Sequence, residues 1–312
     1  AEQKLYKIIE SKLLNLSLTT NSEPTNIDIE EIIKSSFIQL DQEAKNIINQ
    51  GCTASICLLI NNDLYLAHVG DSRMIVSKNK SLCFDTTDHK PDNIEEHVRI
   101  LQEGGDIWCN GTILPNGETI KYAIIPKGEQ VWRLGPLAIS RSIGDYTDQK
   151  TMETTYNKHQ FCMQKLRSHY EKNNIQISEL SMDNFKLTPD CRVTGFSSTP
   201  DIERIKLDPS YDFIIIASDG LWDIVENDAA IEFVRDALFD GYGVSEITQR
   251  LSEIARFWGS GDDITITIIG FDWNNELVKT NESKTKKSLN NKIKPKSGFL
   301  VKKPLKHVFF TY

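Results

Sequence analysis

The chain has 312 residues, with 36 Lys and Arg against 44 Asp and Glu and a formal charge of −8; 39% of residues are hydrophobic and 26% charged. Those are ordinary proportions for a globular chain with one large core or two small ones. No window approaches roughly 18 uninterrupted apolar residues, which excludes a membrane-spanning helix, and Ala1-Glu2-Gln3-Lys4 opens without the apolar stretch of a secretory signal.

In chain order, Leu5, Ile8, Ile9, Leu13 and Leu16 fall on one face of a first predicted helix. Ile29, Ile32, Ile33, Phe37, Leu40, Ala44, Ile47 and Ile48 form the face of a second, with Asn26 or Asp28 as its cap. The pattern then switches. Ala54–Ile60 and Leu64–Val69 are short apolar runs separated by the turn residues Asn61-Asn62-Asp63, and Gly70-Asp71-Ser72 precedes Met74-Ile75-Val76. Three short strands joined by tight turns predict an antiparallel meander, because parallel strands need longer crossovers. A helix is expected at Ile94–Gln102, ending at Gly104-Gly105.

A polar stretch between Tyr146 and Pro189 (about 147–190) reads as an inserted loop, with a helix over Lys158–Tyr170. Phe213–Ala217 is a continuous apolar strand, Ala229–Phe239 and Val244–Phe257 are helices, and Ile264–Ile269 is a last strand. Strands and helices cluster instead of alternating, which favours an α+β layered fold. This reading makes 1–275 one domain and 276–312 a basic tail. From Lys279 onward there are ten Lys and one acid, Glu282, so that segment carries +9 and the remainder −17. Lys279–Lys296 is too polar to offset its own ordering entropy. The later Phe299-Leu300-Val301 and Val308-Phe309-Phe310 are apolar enough to dock on the body or a partner. Six cysteines without a CxxC pair read as reduced, structural thiols, and hence an intracellular protein, cytoplasmic or nuclear.

Two acidic segments carry chemistry. Ser218-Asp219-Gly220-Leu221-Trp222-Asp223 follows an apolar strand, and Gly261-Asp262-Asp263 precedes another. Carboxylates at the ends of neighbouring core strands repel one another unless a cation or proton lies between them. Oxygen-rich sites of that kind suit Mg²⁺ or Mn²⁺ better than zinc. The bland reading, an Asp-Gly turn and an Asp ahead of a strand, stands beside it.

The order of motifs decides between them. Gly51-Cys52-Thr53-Ala54, Val69-Gly70-Asp71-Ser72-Arg73, Thr87-Asp88-His89-Lys90-Pro91, Glu96-His97-Val98-Arg99-Ile100 with Gly104-Gly105, Leu137-Ala138-Ile139-Ser140-Arg141-Ser142-Ile143-Gly144-Asp145, Ala217–Asp223 and Asp262-Asp263-Ile264-Thr265 follow one another. From about Gly51 to Ile269 the chain closely resembles the metal-dependent Ser/Thr protein phosphatases of the 2C type. The resemblance implies a sandwich of two antiparallel sheets covered by helices, with two or three Mg²⁺ or Mn²⁺ ions in a cleft at one end. It also implies phosphoprotein substrates, hydrolysed by metal-activated water without a phosphoenzyme. Asp219 and Asp262 match metal-binding aspartates, Asp263 replaces the usual Asn, and Asp145 and Asp223 match the positions of a weaker third metal. A monomer with no nucleic-acid partner is expected, and no catalytic side chain is assigned. The segment Asp106–Val131 corresponds to a flap beside the site, with hairpin turns at Asn110-Gly111 and Asn116-Gly117.

The departure from the family lies at the start. Its Arg and Glu/Asp on the first strands, and its Asp-Gly-His-Gly-Gly, have no counterpart here, and residue 1 is not Met. An N-terminally incomplete fragment with little activity of its own is the expectation, and a catalytically dead phosphatase-like scaffold the alternative. A serine esterase built on Gly70-Asp71-Ser72 lacks its Asp-x-x-His partner segment. Arg73 is expected to pair with an acid, His89 to bond within a turn, His68 to pack in a strand and Trp222 to sit in the core.

Overall fold

The computed structural model describes residues 2–20, 24–105, 107–109, 111–113, 119–121, 132–157, 187–271 and 307–311. Helix α1 (Glu2–Thr20) buries Leu5, Ile9 and Leu13, one apolar residue per turn. Helix α2 (Asn26–Glu43) starts at neither expected cap. Thr25 caps it, with Oγ1 accepting from the Asp28 amide at 3.3 Å while the Asp28 carboxylate accepts from the Thr25 amide at 2.9 Å. The helix ends at Glu43, short of the predicted face. Asn49, at φ 59°, turns the chain and leaves Ile47 and Ile48 exposed.

The strands are β1 (Gly51–Cys52), β2 (Ala54–Ile60), β3 (Asp63–Val69), β4 (Arg73–Lys78), β5 (Ser81–Asp85), β6 (Ile107–Cys109), β7 (Gly111–Ile113), β8 (Thr119–Lys121), β9 (Trp132–Leu134), β10 (Ile143–Gly144), β11 (Asp201–Lys206), β12 (Tyr211–Ala217), β13 (Ile266–Gly270) and β14 (His307–Thr311). One sheet runs β11-β3-β2-β14 and a second β13-β12-β4-β5, with every named pairing antiparallel. Three two-stranded pairs, β1-β10, β6-β9 and β7-β8, lie outside them. Helices α3 (Ile94–Gln102), α4 (Asp219–Trp222), α5 (Asn227–Phe239) and α6 (Val244–Phe257) complete the labelled elements, and residues 149–157 are also helical.

The expected meander is corrected. β2 and β3 form a hairpin, but β4 belongs to the second sheet, between β12 and β5. Gly70, at φ +99°, turns the chain from one sheet to the other, with Thr53 standing where a side chain on Gly70 would begin. The local pattern of short strands and tight turns is the same for a meander and a crossing, and only the neighbours of β3 decide: both of its edges are already taken by β2 and β11.

Four layers result. Cys57, Leu64 and Leu66 of the first sheet meet Met74, Val76, Ile214, Ile216 and Ile269 of the second between the sheets. Ile56, Leu58, Tyr65 and Ala67 point the other way, onto α1 and α2, and Ile75, Phe213, Ile215 and Ile268 onto α5 and α6. β12 is therefore apolar without alternation because both its faces are covered. The last strand begins at Ile266, two residues later than predicted, because Thr265 bonds to Ser218 instead. The predicted helix over 158–170, the inserted loop apart from its ends, and residues 272–306 of the tail lie outside the described residues. So do Asn110 and Asn116-Gly117, although β7 and β8 on either side of the latter pair antiparallel.

Asp41 of α2 anchors the corner where β10 meets β1. It is 4% exposed; its carboxylate accepts from the Gly144 amide at 2.8 Å, from the Tyr146 hydroxyl at 3.1 Å and from Arg192. Removing one partner of such a buried pair leaves the other charge without compensation. Asp41→Ala should lower urea-unfolding stability by about 3 kcal/mol or more; a loss under about 1 kcal/mol, the scale of a surface pair, would show that this corner is held by other contacts.

Candidate functional site

β12 and β13 are neighbours, with Ala217 opposite Ile266, so the turn that follows β12 and the turn that precedes β13 emerge side by side. Hydrogen bonds stitch them together. The Ser218 amide donates to the Thr265 carbonyl at 3.1 Å, the Thr265 amide donates to Ser218 Oγ at 3.1 Å, and Ser260 Oγ donates to the Gly220 carbonyl at 2.7 Å. Gly220 is required by this approach: a Cβ there would lie 2.5 Å from the Asp263 carbonyl oxygen. The consequence is electrostatic. Burial first, and then the charges of Asp223 and Asp262, push the Asp219 carboxyl above its ordinary range. The side chains of 219, 223 and 262 thus share one field although 43 positions separate the first from the last.

A fourth acid joins them from the sheet crossing. Asp71, 8% exposed, follows Gly70. Burial, then the charge of Asp219, drives its carboxyl up to about 6, with Asp88 adding to the rise and Lys90 opposing it. The Lys90 ammonium lies 3.7 Å from Asp71 and 3.4 Å from Asp223. Burial alone would lower its pKa, but Asp223, Asp71 and Asp88 together hold it above the ordinary lysine range. Lys90 is the cation among these acids in the described residues.

What fixes Lys90 and Asp71 is a buried polar network beneath them. His89, 2% exposed, is bonded on both sides of Gly70: its amide donates to the Gly70 carbonyl at 3.0 Å and its Nδ1 accepts from the Gly70 amide at 3.0 Å. Nε2 therefore carries the proton, which it donates to Asp201 at 3.0 Å. Asp201 accepts from Arg141 at 2.7 Å, and Arg141 reaches Glu96, which also accepts from Arg99 and from Ser140. The hydrogen bond from His89, joined by Arg141, holds Asp201 well below the ordinary carboxylate range. Burial would raise Glu96, but hydrogen bonds from Arg99, Arg141 and Ser140 outweigh it and hold Glu96 at about 2. His68 stacks on His89 with centroids 4.4 Å apart and bonds to the Thr87 carbonyl at 2.9 Å. Burial, then the neighbouring His89, pushes His68 down to about 4.

Of the four acids singled out in the sequence, the structure brings Asp219, Asp223 and Asp262 together and leaves Asp145 apart. Asp145, at φ 53°, accepts from Ser142, and the charges acting on it are those of Arg192 and Asp41. Asp71 and Lys90 were not singled out as site residues. Their signal was present but read only as turn chemistry: an Asp directly after a glycine, and a Lys in Asp-His-Lys-Pro. Arg73 pairs with Asp88 through two bonds of 3.0 and 2.8 Å and donates to Asn227, so it is committed as expected. Trp222, 6% exposed, is core, its Nε1 donating to the Ala217 and Arg73 carbonyls.

Four carboxylates in mutual repulsion are the donor chemistry of a hard divalent cation. Among the described residues no three His, Cys, Asp or Glu groups converge as a closed metal site. Magnesium commonly uses one or two protein carboxylates and keeps several waters, so the pair at 219 and 262 fits a partly hydrated ion and not an all-protein cage.

A family model described as "Protein phosphatase 2C" matches residues 1–264. Rice "Probable protein phosphatase 2C 7" is 27% identical over 272 residues, covering 87% of this chain and 54% of its own length. Arabidopsis thaliana "Probable protein phosphatase 2C 59" is 28% identical, covering 78% and 59%. Drosophila melanogaster "Probable protein phosphatase CG10417" is 27% identical, covering 72% and 26%. The chain thus spans about half the length, or less, of these curated relatives. Among solved structures, serine-threonine phosphatase 2C from Toxoplasma gondii superposes with a TM-score of 0.52 at 18% identity, over 86% of this chain and 79% of that one. A C. elegans sex determining protein gives 0.53 at 18%, over 83% and 50%. These superpositions show the shared fold.

The network beneath the site should be visible in acid unfolding. His68 is neutral in the native state, so stability falls as pH drops from 6.5 toward 4, where the unfolded histidine alone takes up a proton. Glu96 is ionised in the native state, so a second loss runs from pH 4.5 toward 2. Each window should slope by up to about 1.4 kcal/mol per pH unit in urea titrations. His68→Asn should flatten the upper window and Glu96→Gln the lower; an unchanged slope in either variant would remove that residue from the account.

Proposed function

The chain belongs to the protein phosphatase 2C family, and from that we propose a metal-dependent phosphatase acting on phosphoserine and phosphothreonine in proteins. The observation that carries the reading is the stitching of the 218–220 and 260–265 turns, which sets Asp219 and Asp262 in one field beside Asp71 and Asp223. In this reading Asp219 and Asp262 hold Mg²⁺ or Mn²⁺ with Asp223 at the rim. Asp71 replaces Asp145 among the acids that face the ion, and Asp145 belongs to the β1–β10 corner.

A divalent ion bound there supplies charge stabilisation for phosphoryl oxygens and lowers the pKa of a water. The chain's own groups prepare for it. Asp219 and Asp71 are raised by burial and by one another's charge, so added positive charge favours the ionised form of both. Lys90 neutralises Asp71 and Asp223 and offers N–H donors at the rim, where a phosphate ester would enter. His89 and Asp201 hold the loop that carries Lys90, through bonds that leave the Lys90 side chain free to move.

A second reading, a phosphatase-like scaffold without activity, is favoured by the lack of a third converging ligand among the described residues. Four free thiols among the described residues, at Cys52, Cys57, Cys83 and Cys191, support a reducing compartment, cytoplasmic or nuclear. No helix among the described residues is long and apolar enough to cross a membrane.

Thermal unfolding with increasing Mn²⁺, run beside phosphate release from a phosphothreonine peptide, separates the two. Mn²⁺ should raise the melting temperature, and Asp219→Ala and Asp262→Ala should each weaken that effect by roughly tenfold or more. Asp145→Ala should keep the Mn²⁺ dependence of the parent chain. A metal-dependent rise with no phosphate released would favour the scaffold; a rise that survives Asp219→Ala would remove the proposed site.

A further inference from the structure

The first sheet is closed on one side by a strand from far along the chain. β14 pairs with β2 from His307 opposite Leu59 to Thr311 opposite Ser55. β2 supplies residues to two cores: Ile56 and Leu58 to the layer under α1 and α2, Cys57 to the layer between the sheets. Its outer edge is thus a row of backbone donors and acceptors flanked on both faces by apolar side chains, the kind of edge to which an extended segment adds. The segment in place, His-Val-Phe-Phe-Thr, has no acidic, Lys or Arg residue and is built of β-branched and aromatic residues apart from its His. Lysines 302, 303 and 306 stand immediately before it.

β14 is a five-residue strand bonded along one side only, at the edge of the sheet order. Short edge elements open at low free energy compared with the sheet they flank. It is joined to the last described residue of the body, Phe271, by 35 residues. Fully extended, those reach roughly 115 Å, enough to seat the strand on its own body or on a neighbour's.

We propose that the outer edge of β2 is a strand-acceptor site, closed by the chain's own His307–Thr311, and that it takes the same segment of a second copy when its own is released. The tether sets the balance. A flexible link of this kind keeps its strand at an effective concentration on the order of 1 mM, so the chain's own strand excludes a second copy's at micromolar protein. A single lone chain is therefore the low-concentration state, and exchange requires release. The register also gives the site an address. Ser55, opposite Thr311, donates from Oγ to the Ser72 carbonyl at 2.5 Å, so the strand ends beside the sheet crossing that carries Asp71.

The test uses the full chain and a fluorescent peptide of residues Lys306–Tyr312. Phe309→Pro removes a backbone donor and sets φ against an extended strand, so the variant's own strand should no longer seat. Hydrogen exchange over residues 55–59 should then be at least about tenfold faster than in the parent chain, while 211–217 is unchanged. The variant should take up the peptide at roughly 100-fold lower concentration than the parent does. A peptide carrying the same Pro should not bind. Equal exchange at 55–59 in both proteins, equal peptide uptake by both, uptake by neither, or binding of the Pro peptide would each overturn the proposal. Should 211–217 also exchange faster, the parent chain decides alone: amides of 307–311 exchanging at the rate of the free peptide would overturn it, and slower exchange competed away by millimolar peptide would support it.

Discussion

β12 and β13 lie side by side in the middle of the second sheet, and the turns beyond them are tied by three hydrogen bonds through Ser218, Thr265 and Ser260. Everything chemical depends on that junction. Strand pairing sets the spacing of the two turns, and the missing Cβ of Gly220 lets the Asp263 carbonyl approach to where a side chain would otherwise stand. The acids at 219 and 262 then occupy one corner without touching each other's backbone. A carboxylate on each turn would be unremarkable alone; held together by a rigid ladder, they repel, and the repulsion is what a cation relieves.

The second support is polar and buried. Glu96, Arg99, Arg141, Ser140, Asp201 and His89 form one connected network linking α3, the 140–145 segment, β11 and the loop at 88–90. Each charge in it has an opposite partner, which is the condition for such a network to rigidify a structure and not to weaken it. Its output is the placement of Lys90 and Asp71. The acids above it are not satisfied in the same way: Asp71 and Asp219 both sit above their ordinary range, with Lys90 as their neutralising neighbour. Satisfaction below and frustration above distinguish the supporting layer from the site.

Much of this was legible in the chain. Helical periodicity located α1, α3 and α6, since each buries a face repeating at three and four residues. The double-sided apolar run of β12 announced a strand covered on both faces, and Asp219 and Asp262 were identified from their places at strand ends. Other features were not legible. Thr25 outcompetes Asn26 and Asp28 as cap because only it can bond reciprocally with the residue three further on. The chain crosses between sheets at Gly70 because β3 has no free edge left to accept β4. Asp145 stands in the motif order beside the other acids, but the buried Asp41–Arg192 pair claims its neighbourhood.

The division follows from range. Sequence by itself determined the elements, the two apolar faces of each central strand, the family motifs and the hard-oxygen character of the site, because these depend on residue type and on spacings of a few positions. Tertiary structure alone decided which sheet β4 enters, which acids share a field, that Lys90 lies among them, and that the end of the chain lines the edge of β2. Those are contacts between residues tens to hundreds of positions apart, chosen by which edges and faces remain open once the rest of the chain has packed, and no local pattern carries that information.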